Sequence, residues 1–222
     1  MNEHNKDTCC KMITGVETCG QNYGAGCWSD VKLPKIGLEV TLTLGAYQFY
    51  GNEGRQLLQM IFDWVDEHKL KLNNYANLRR FLDVDWVSTK LVPGEIDQYL
   101  IGDLISSDIG RQKQTDLFRN IQLPDYINRA EEFGVHDDAA QMMWAEVEHV
   151  GGTKAAKRIF KRCNGDYSLD KIMWSLKQDQ ADHSSENQAG DELYWSRHVF
   201  CRKCIEKYAD LSTDAVYIRV EG

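Results

Sequence analysis

Residues 38–44 read Leu-Glu-Val-Thr-Leu-Thr-Leu, and this stretch decides the fold class because its apolar and polar side chains alternate strictly. The four apolar side chains fall on one face, and Glu39, Thr41 and Thr43 fall on the other. A period of two residues predicts a half-buried β-strand. A strand is not stable without a partner, so we expect residues 38–44 to form a small hairpin with part of residues 27–36.

Most of the chain outside this stretch has the apolar spacing of α-helices, with apolar residues recurring every three or four positions. The predicted helices cover residues 8–17, 54–68, 94–106, 111–121, 124–133, 137–150, 153–163, 168–178 and 191–209. Within 94–106, the apolar stripe is expected to run through Ile96, Tyr99, Leu100 and Leu104. Residues 18–37 and 179–190 are predicted to be loops. The sequence therefore predicts an α+β fold that is predominantly α-helical, with a small β-hairpin or sheet beside a helical body.

The helix predicted over residues 137–150 is rich in Ala, Met and Trp, so we expect it to be buried at the centre of the helical body. Gly151 and Gly152 are expected to end it. Pro124 is well placed at the start of the preceding helix, and Asp137 and Asp138 suit the start of the buried helix because of their charge.

The bulk composition excludes several functional classes. A chain of 222 residues can bury one good core, and a net charge of -8 argues against a nucleic-acid binder, which should present a basic face. No apolar run is long enough for a transmembrane helix. The polar stretch from Met1 to Lys11 does not resemble a secretory signal. We therefore expect synthesis in the cytoplasm, and release through a holin pore or a secretion machine if the substrate lies in the cell wall.

Seven cysteines are present, and free buried thiols are the default expectation for them. Cys201 and Cys204 have the spacing of a zinc knuckle, but the chain has no second pair of this kind. We therefore expect no metal and no cofactor. A redox or zinc module built on these two thiols remains an alternative.

Glu17 is the first candidate for a catalytic residue. It ends an apolar helix just before a glycine-rich loop, so its carboxyl group can lie at the wall of a cleft, half against the core. Apolar burial and the unfavourable dipole of a helix C-terminus both favour a protonated carboxyl group. Such a group can act as the general acid that protonates the leaving oxygen of a glycosidic bond.

A glycosidic cleavage site needs a second carboxylate across the scissile bond, and two residues could supply it. Glu39 lies on the polar face of the predicted strand together with Thr43, and Asp30 lies in the preceding loop. The hydroxyl group of Thr43 could hold a water molecule in line for attack on the sugar. The residues alone leave Glu39 and Asp30 open as the base.

Three stretches of this chain resemble the catalytic region of the lysozyme-like superfamily, in particular phage lysozymes and the chitosanases of glycoside hydrolase family 46. These stretches are residues 14–20, Tyr23 with Gly24, and residues 42–49. In these families a Glu ends the first long helix, and a short sheet ends in a Thr or Ser followed by a turn that contains Gly. Residues 112–117, 126–134 and 139–152 are similar to the C-terminal half of chitosanase-like endolysin domains, so the resemblance spans roughly residues 10–160.

The resemblance implies a single lysozyme-like catalytic domain over residues 1–222. It would consist of a catalytic helix and β region over about 1–70, a helical lobe over about 71–211 and a short tail over 212–222. The activity implied is that of a glycoside hydrolase with Glu17 as the acid and Thr43 positioning water. Residues Tyr23, Tyr47, Gln48 and Tyr50 would bind the sugar chain. These families usually place an Asp five or six residues before the Thr, and here that region ends in Glu39.

The substrate implied is the β-1,4-linked glycan of peptidoglycan, which would make the protein a muramidase of the endolysin or antibacterial effector type that degrades cell walls. A chitosanase is the alternative, because an excess of acidic residues would attract a cationic polymer. A non-catalytic glycan-binding or phage structural module is the alternative from another class. The expected partner is a polysaccharide, and attachment to further modules of a longer chain is left open.

Overall fold

The structure is a computed structural model that describes residues 1–19, 22–27, 31–33, 37–39, 42–86, 93–183 and 188–211. Its α-helices are α1 (Glu3–Thr18), α2 (Asn52–Glu67), α3 (Tyr75–Arg79), α4 (Glu95–Ser106), α5 (Asp108–Leu117), α6 (Leu123–Phe133), α7 (Asp138–Arg162), α8 (Leu169–His183) and α9 (Gln188–Tyr208). A 3-10 turn follows α3 at Arg80–Asp83, and a π-helical turn joins α5 to α6 at Phe118–Gln122. The prediction of a predominantly helical α+β chain is confirmed.

Short antiparallel strands form the β part. They are β1 (Gly26–Cys27), β2 (Val31–Leu33), β3 (Gly37–Glu39), β4 (Thr43–Leu44) and β5 (Phe49–Tyr50). One sheet has the order β1-β4-β5, and β2 pairs with β3 in another. The prediction of one continuous strand over residues 38–44 is wrong, because β3 and β4 belong to different sheets. The predicted pairing with residues 27–36 is confirmed for both strands, through Cys27 with Thr43 and Val31 with Glu39.

The described residues group into two compact units. The mixed unit is Glu17–Phe118, and the helical unit consists of Met1–Val16 and Arg119–Gly222. Helix α1 lies in the helical unit up to Val16, whereas its last two residues, Glu17 and Thr18, belong to the mixed unit. The prediction of one catalytic domain over residues 1–222 stays a prediction.

The core of the mixed unit forms between α2 and the three-stranded sheet. The predicted apolar stripe of α2 is buried along its whole length, through Leu57, Leu58, Ile61, Phe62 and Val65. Leu42, Leu44 and Phe49 of the sheet region are also fully buried. A side chain at Gly54 would come within 2.9 Å of the Trp86 ring and 3.1 Å of the Phe49 carbonyl. The absence of a side chain there allows the helix to approach the sheet closely.

Helix α7 is the centre of the helical unit, as predicted. Each residue from Gln141 to Glu148 is buried. The helix begins with the Asp137 side chain accepting a hydrogen bond from the Ala140 amide at 3.0 Å. At Gly152 the backbone leaves the helical region, with φ 73° and ψ 171°, so the path kinks where the glycine pair predicted an end. The Thr153 hydroxyl donates across this kink to Glu148 at 2.5 Å.

The prediction of a loop over residues 179–190 is wrong for those residues of the stretch that the structure describes, because α8 continues to His183 and α9 already begins at Gln188. The physical reason is an ion pair that the polar composition of this stretch does not reveal. Asp179 is only 7% exposed. It accepts two hydrogen bonds of 2.8 Å from the Arg158 guanidinium, which tie α8 to α7. A bidentate charged pair of this kind stabilises the additional helical turn.

Candidate functional site

The end of α1 carries Glu17 and is attached to the three-stranded sheet. Glu17 is half-buried in the last turn of the helix, and no basic residue lies in that turn. Cys19 adopts a left-handed backbone conformation with φ 53°, which turns the chain away from the helix axis. The Thr18 hydroxyl donates to the Ala46 carbonyl at 3.4 Å and accepts from the Asn22 amide at 3.2 Å. The helix end is therefore fixed to the turn that follows β4.

Strand β4 places Thr43 in the middle of the three-stranded sheet. Thr43 pairs with Cys27 on one side and with Tyr50 on the other, and it is half-buried. The chain then turns through Gly45, whose φ is +79°. The Gly45 amide donates to the Ala25 carbonyl at 2.7 Å, which extends the pairing of β1 with β4 into the turn. Thr43 thus lies on a backbone held from both sides.

A single buried amide, that of Gln114 on α5, joins three segments of the mixed unit. Its Oε1 accepts from the Ala46 amide at 2.7 Å. Its Nε2 donates to the Tyr23 carbonyl at 3.0 Å and to the Ile105 carbonyl at 2.8 Å. Gln114 has no exposed surface, so these bonds stabilise groups that water does not reach. We call this arrangement the Gln114 junction.

The same junction explains why the turn after β4 contains glycine. A Cβ atom at Gly45 would lie 2.1 Å from Gln114 Oε1, closer than any real contact. The positive φ of Gly45 is an independent reason, because side chains are strained in that conformation.

Among the residues predicted to bind sugar around this turn, Tyr47 is placed in the core by the structure, so its predicted role is corrected. Its ring is 2% exposed and stacks on Phe118 with the ring centroids 4.7 Å apart. Tyr47 therefore belongs to the core, where its ring packs between Phe118 and Phe49 of β5. Gln48 is half-buried, and its Nε2 donates to the Gly45 carbonyl at 2.8 Å, so it closes the turn. Tyr50 is 48% exposed and stays a candidate for ligand contact.

The two candidates for the second carboxylate are only partly placed by the structure. Glu39 is the last residue of β3, and its backbone pairs with Val31 in the sheet that does not contain β4. The expected alignment of Glu39 with Thr43 on one strand therefore does not occur. Asp30 lies outside the described residues. Glu39 and Asp30 both stay predictions.

Tyr23, the fourth predicted sugar-binding residue, lies in a groove of the mixed unit. The groove has a volume of about 1000 Å³ and is lined by Asn22, Tyr23, Gly24, Glu95, Gln98, Tyr99, Gly102, Asp103, Ser106 and Arg111. We call it the α4 groove, because six of these residues come from one face of α4. Gly24 and Gly102 lie close together in this lining, since a Cβ on Gly102 would be 3.6 Å from the Gly24 carbonyl.

The structure also corrects the orientation that was predicted for α4. The stripe expected to face the core included Ile96 and Tyr99, but these side chains are 75% and 68% exposed. The residues that α4 buries are Ile101, Leu104 and Ile105. The sequence did not reveal this orientation because α4 has two apolar stripes, and the packing of α4 against α5 selects the second.

The helical unit contains a buried charge cluster that the sequence analysis missed. Glu146 on α7 has no exposed surface and accepts hydrogen bonds from Arg197 Nε at 2.5 Å and His198 Nδ1 at 3.0 Å, both on α9. Burial by itself raises the pKa of the Glu146 carboxyl, but the charges of His198 and Arg197 and their hydrogen bonds outweigh it and lower the pKa overall. Burial also raises the pKa values of two neighbouring thiols, those of Cys9 and Cys201, well above the usual value for cysteine.

A second buried carboxylate lies two residues further along α7. Glu148 accepts from Arg129 Nε at 2.7 Å and from Trp144 Nε1 at 2.6 Å, in addition to the Thr153 hydroxyl. A signal for both residues existed in the sequence, since a Glu inside a helix predicted to be buried needs a cationic partner. The identity of those partners could not be predicted, because they lie far away along the chain.

Neither membrane spans nor metal clusters occur in the part of the chain that the structure describes. No described helix combines the length and the apolarity needed to cross a bilayer. No three His, Cys, Asp or Glu side chains among the described residues are grouped so that they could hold a metal ion. Cys201 is buried and Cys204 is half-buried, and both are free thiols.

Comparisons with known proteins give no match: no family model, no curated protein and no solved structure is similar to this chain.

Proposed function

We propose that this protein is a glycoside hydrolase that cleaves β-1,4 bonds of an amino-sugar polymer, with peptidoglycan as the substrate and Glu17 as the general acid. The observation that carries the proposal is the attachment of the α1 end to the sheet. The half-buried Glu17 stands next to Thr18, whose hydroxyl bonds to Ala46 at the turn after β4. Gln114 fixes this turn by accepting a hydrogen bond from the Ala46 amide. The acid and the strand of Thr43 are thus held on one framework, as catalytic positioning requires.

In the proposed reaction, Glu17 protonates the glycosidic oxygen while a second carboxylate activates water on the opposite face of the sugar. Glu39 and Asp30 are the two candidates for that second carboxylate, and Thr43 would hold the water. The separation of the two carboxyl groups would decide between inversion and retention of the anomeric carbon. Tyr50 and Tyr23 are the remaining aromatic candidates for contact with sugar rings.

The decisive experiment compares Glu17→Gln with Glu67→Gln on purified peptidoglycan. Glu67 is the matched control because it also ends a helix, α2, and is exposed in the same unit. We expect the Glu17 variant to lose at least about a hundredfold in rate, since general acid catalysis contributes on the order of 10²–10⁴, while the control keeps the wild-type rate. Equal rates for both variants, with melting temperatures unchanged, would reject Glu17 as the acid.

Two further arms of the same assay resolve the alternatives. Glu39→Gln and Asp30→Asn, tested in parallel, identify the base by which of the two loses activity, and wild-type rates for both mean that neither acts. Incubation with chitosan and mass spectrometry of the new reducing ends distinguish a chitosanase from a muramidase. Binding of either polymer without any cleavage would favour the glycan-binding module instead.

A further inference from the structure

The α4 groove is organised by one helix face. Residues Glu95, Tyr99 and Asp103 follow each other at intervals of four along α4, and Gln98, Gly102 and Ser106 fill the positions between and beyond them. Residues four apart lie above one another on the same helix face. The groove wall therefore presents a carboxylate, an aromatic ring and a second carboxylate in a row.

The spacing of this row can be estimated from helix geometry. With a rise of about 1.5 Å per residue, Glu95 and Asp103 are about 12 Å apart along the helix axis, and Tyr99 is about midway. Both carboxylates are exposed, and Tyr99 is 68% exposed. Asp97, on the same helix, instead forms an ion pair of 2.7 Å with Arg80 and does not line the groove.

The rest of the lining is polar and contains one cation, Arg111. Arg111 Nε donates to the Ser106 carbonyl at 2.7 Å, and its guanidinium lies over the Tyr23 ring at 5.9 Å from the centroid. The Tyr23 carbonyl is fixed in turn by Gln114. Among the described residues that line the groove, none has an aliphatic side chain. The ionisable groups of the lining are two carboxylates, two phenols and one guanidinium, so the groove carries a net negative charge.

We propose that the α4 groove is a binding site for a linear polyamine, a chain with terminal ammonium groups about 12 Å apart, a spacing set by the helix rise. Each terminal ammonium group pairs with one carboxylate, at Glu95 and at Asp103. The methylene chain between them lies across the Tyr99 ring, whose face also attracts cationic nitrogen. The proposal does not rest on the proposed hydrolase activity, because these three residues have no part in that reaction and Tyr23, the sugar-contact candidate in the same groove, has no part in the pairing with ammonium groups.

The test is titration calorimetry of the full chain at low salt with three probes: spermidine, the shorter diamine putrescine, and N-acetylspermidine, in which one terminal ammonium group is masked. We expect spermidine to bind most tightly. Loss of one terminal ion pair should weaken binding about three- to fivefold, the upper part of the range for exposed pairs. Spermidine binding should also weaken as salt is added.

The variants Glu95→Gln, Asp103→Asn and Tyr99→Ala identify the site, with Asp97→Asn as the control of equal charge change on the same helix. Either amide variant should bind spermidine about three- to fivefold more weakly, and Tyr99→Ala about threefold to tenfold more weakly. The control should bind as the wild type does. Glu95, Tyr99 and Asp103 are exposed, whereas Asp97 has 18% of its side chain exposed in its pair with Arg80. Circular dichroism of all four variants checks that each keeps the wild-type fold.

Three results would overturn the proposal. The first is putrescine or N-acetylspermidine binding as tightly as spermidine, since the spacing of the two carboxylates would then not matter. The second is an equal loss in the Asp97 control, which would indicate unspecific attraction to an acidic surface. The third is no detectable binding of spermidine by the wild type. None of these depends on the activity of Glu17, so the two proposals can fail separately.

Discussion

Both units of this protein join distant segments through buried polar groups, but they use different chemistry. The mixed unit uses the neutral amide of Gln114, which satisfies three backbone groups at once. The helical unit uses an ionised carboxylate, Glu146, held by Arg197 and His198. A neutral junction is insensitive to pH, whereas a buried ion pair is sensitive to the loss of either partner and to acid. The comparison indicates that the helical unit depends more strongly on single residues and on pH.

The largest effect is expected from Glu146→Ala. Removing the carboxylate leaves Arg197 and His198, each with 13% of its side chain exposed, without their buried counter-charge. Breaking a buried pair on one side costs about 3–5 kcal/mol of the free energy of unfolding, which urea denaturation can measure. The control is Glu206→Ala on α9, whose pair with Arg202 is exposed and should contribute less than about 1 kcal/mol. Similar losses for both variants would contradict the special role of the buried pair.

A smaller loss is expected from Gln114→Ala, about 2–4 kcal/mol, because buried backbone groups lose their partners and a cavity remains. Gln112→Ala provides the control, since Gln112 is exposed on the same helix. Hydrogen exchange read by mass spectrometry should show faster exchange at the Ala46 amide, which loses its acceptor, and the change should stay within the mixed unit. Faster exchange spread instead over α7 and α9 would mean that the junction does not act locally.

The smallest effect, and the one that separates the two chemistries, is the dependence of stability on pH. Because the pKa of Glu146 is lowered in the folded state, its contribution is complete above the unfolded value near 4.5 and is lost as pH falls through the folded value. Unfolding of the wild type between pH 7 and pH 3 should therefore show a steeper loss in acid than unfolding of Glu146→Gln. Gln114→Ala should keep the wild-type slope. Identical slopes for the wild type and the Glu146 variant would refute the assignment.

The amino-acid sequence predicted those features that depend on neighbouring residues. The apolar stripe of α2, the burial of α7, its start at Asp137 and Asp138 and its interruption at Gly152 all follow from periodicity, local charge or local backbone preference, and all are confirmed. The pairing of residues 27–36 with the strand region followed from the rule that strands need partners.

Features that depend on distant segments could not be predicted in this way. The burial of Tyr47 against Phe118, the exposure of Tyr99 and the extension of α8 to His183 are decided by packing between elements. Tyr47 has the same local pattern as an exposed aromatic residue, and only its packing against Phe49 and Phe118 distinguishes the two. Similarly, the stretch over residues 38–44 divides between two sheets although its alternation is continuous.

The sequence by itself determined a helical α+β chain in which Glu17 ends the first helix and Thr43 follows on a short strand. Only the tertiary structure decided that Gln114 fixes the turn beside them, that Glu146 is buried with two cationic partners, and that one face of α4 lines a groove. The physical reason is that periodicity and capping act within a few residues along the chain. Hydrogen bonds to buried groups instead join residues far apart in the chain, 91 positions for Gln114 and Tyr23 and 205 positions for Asn5 and Asp210.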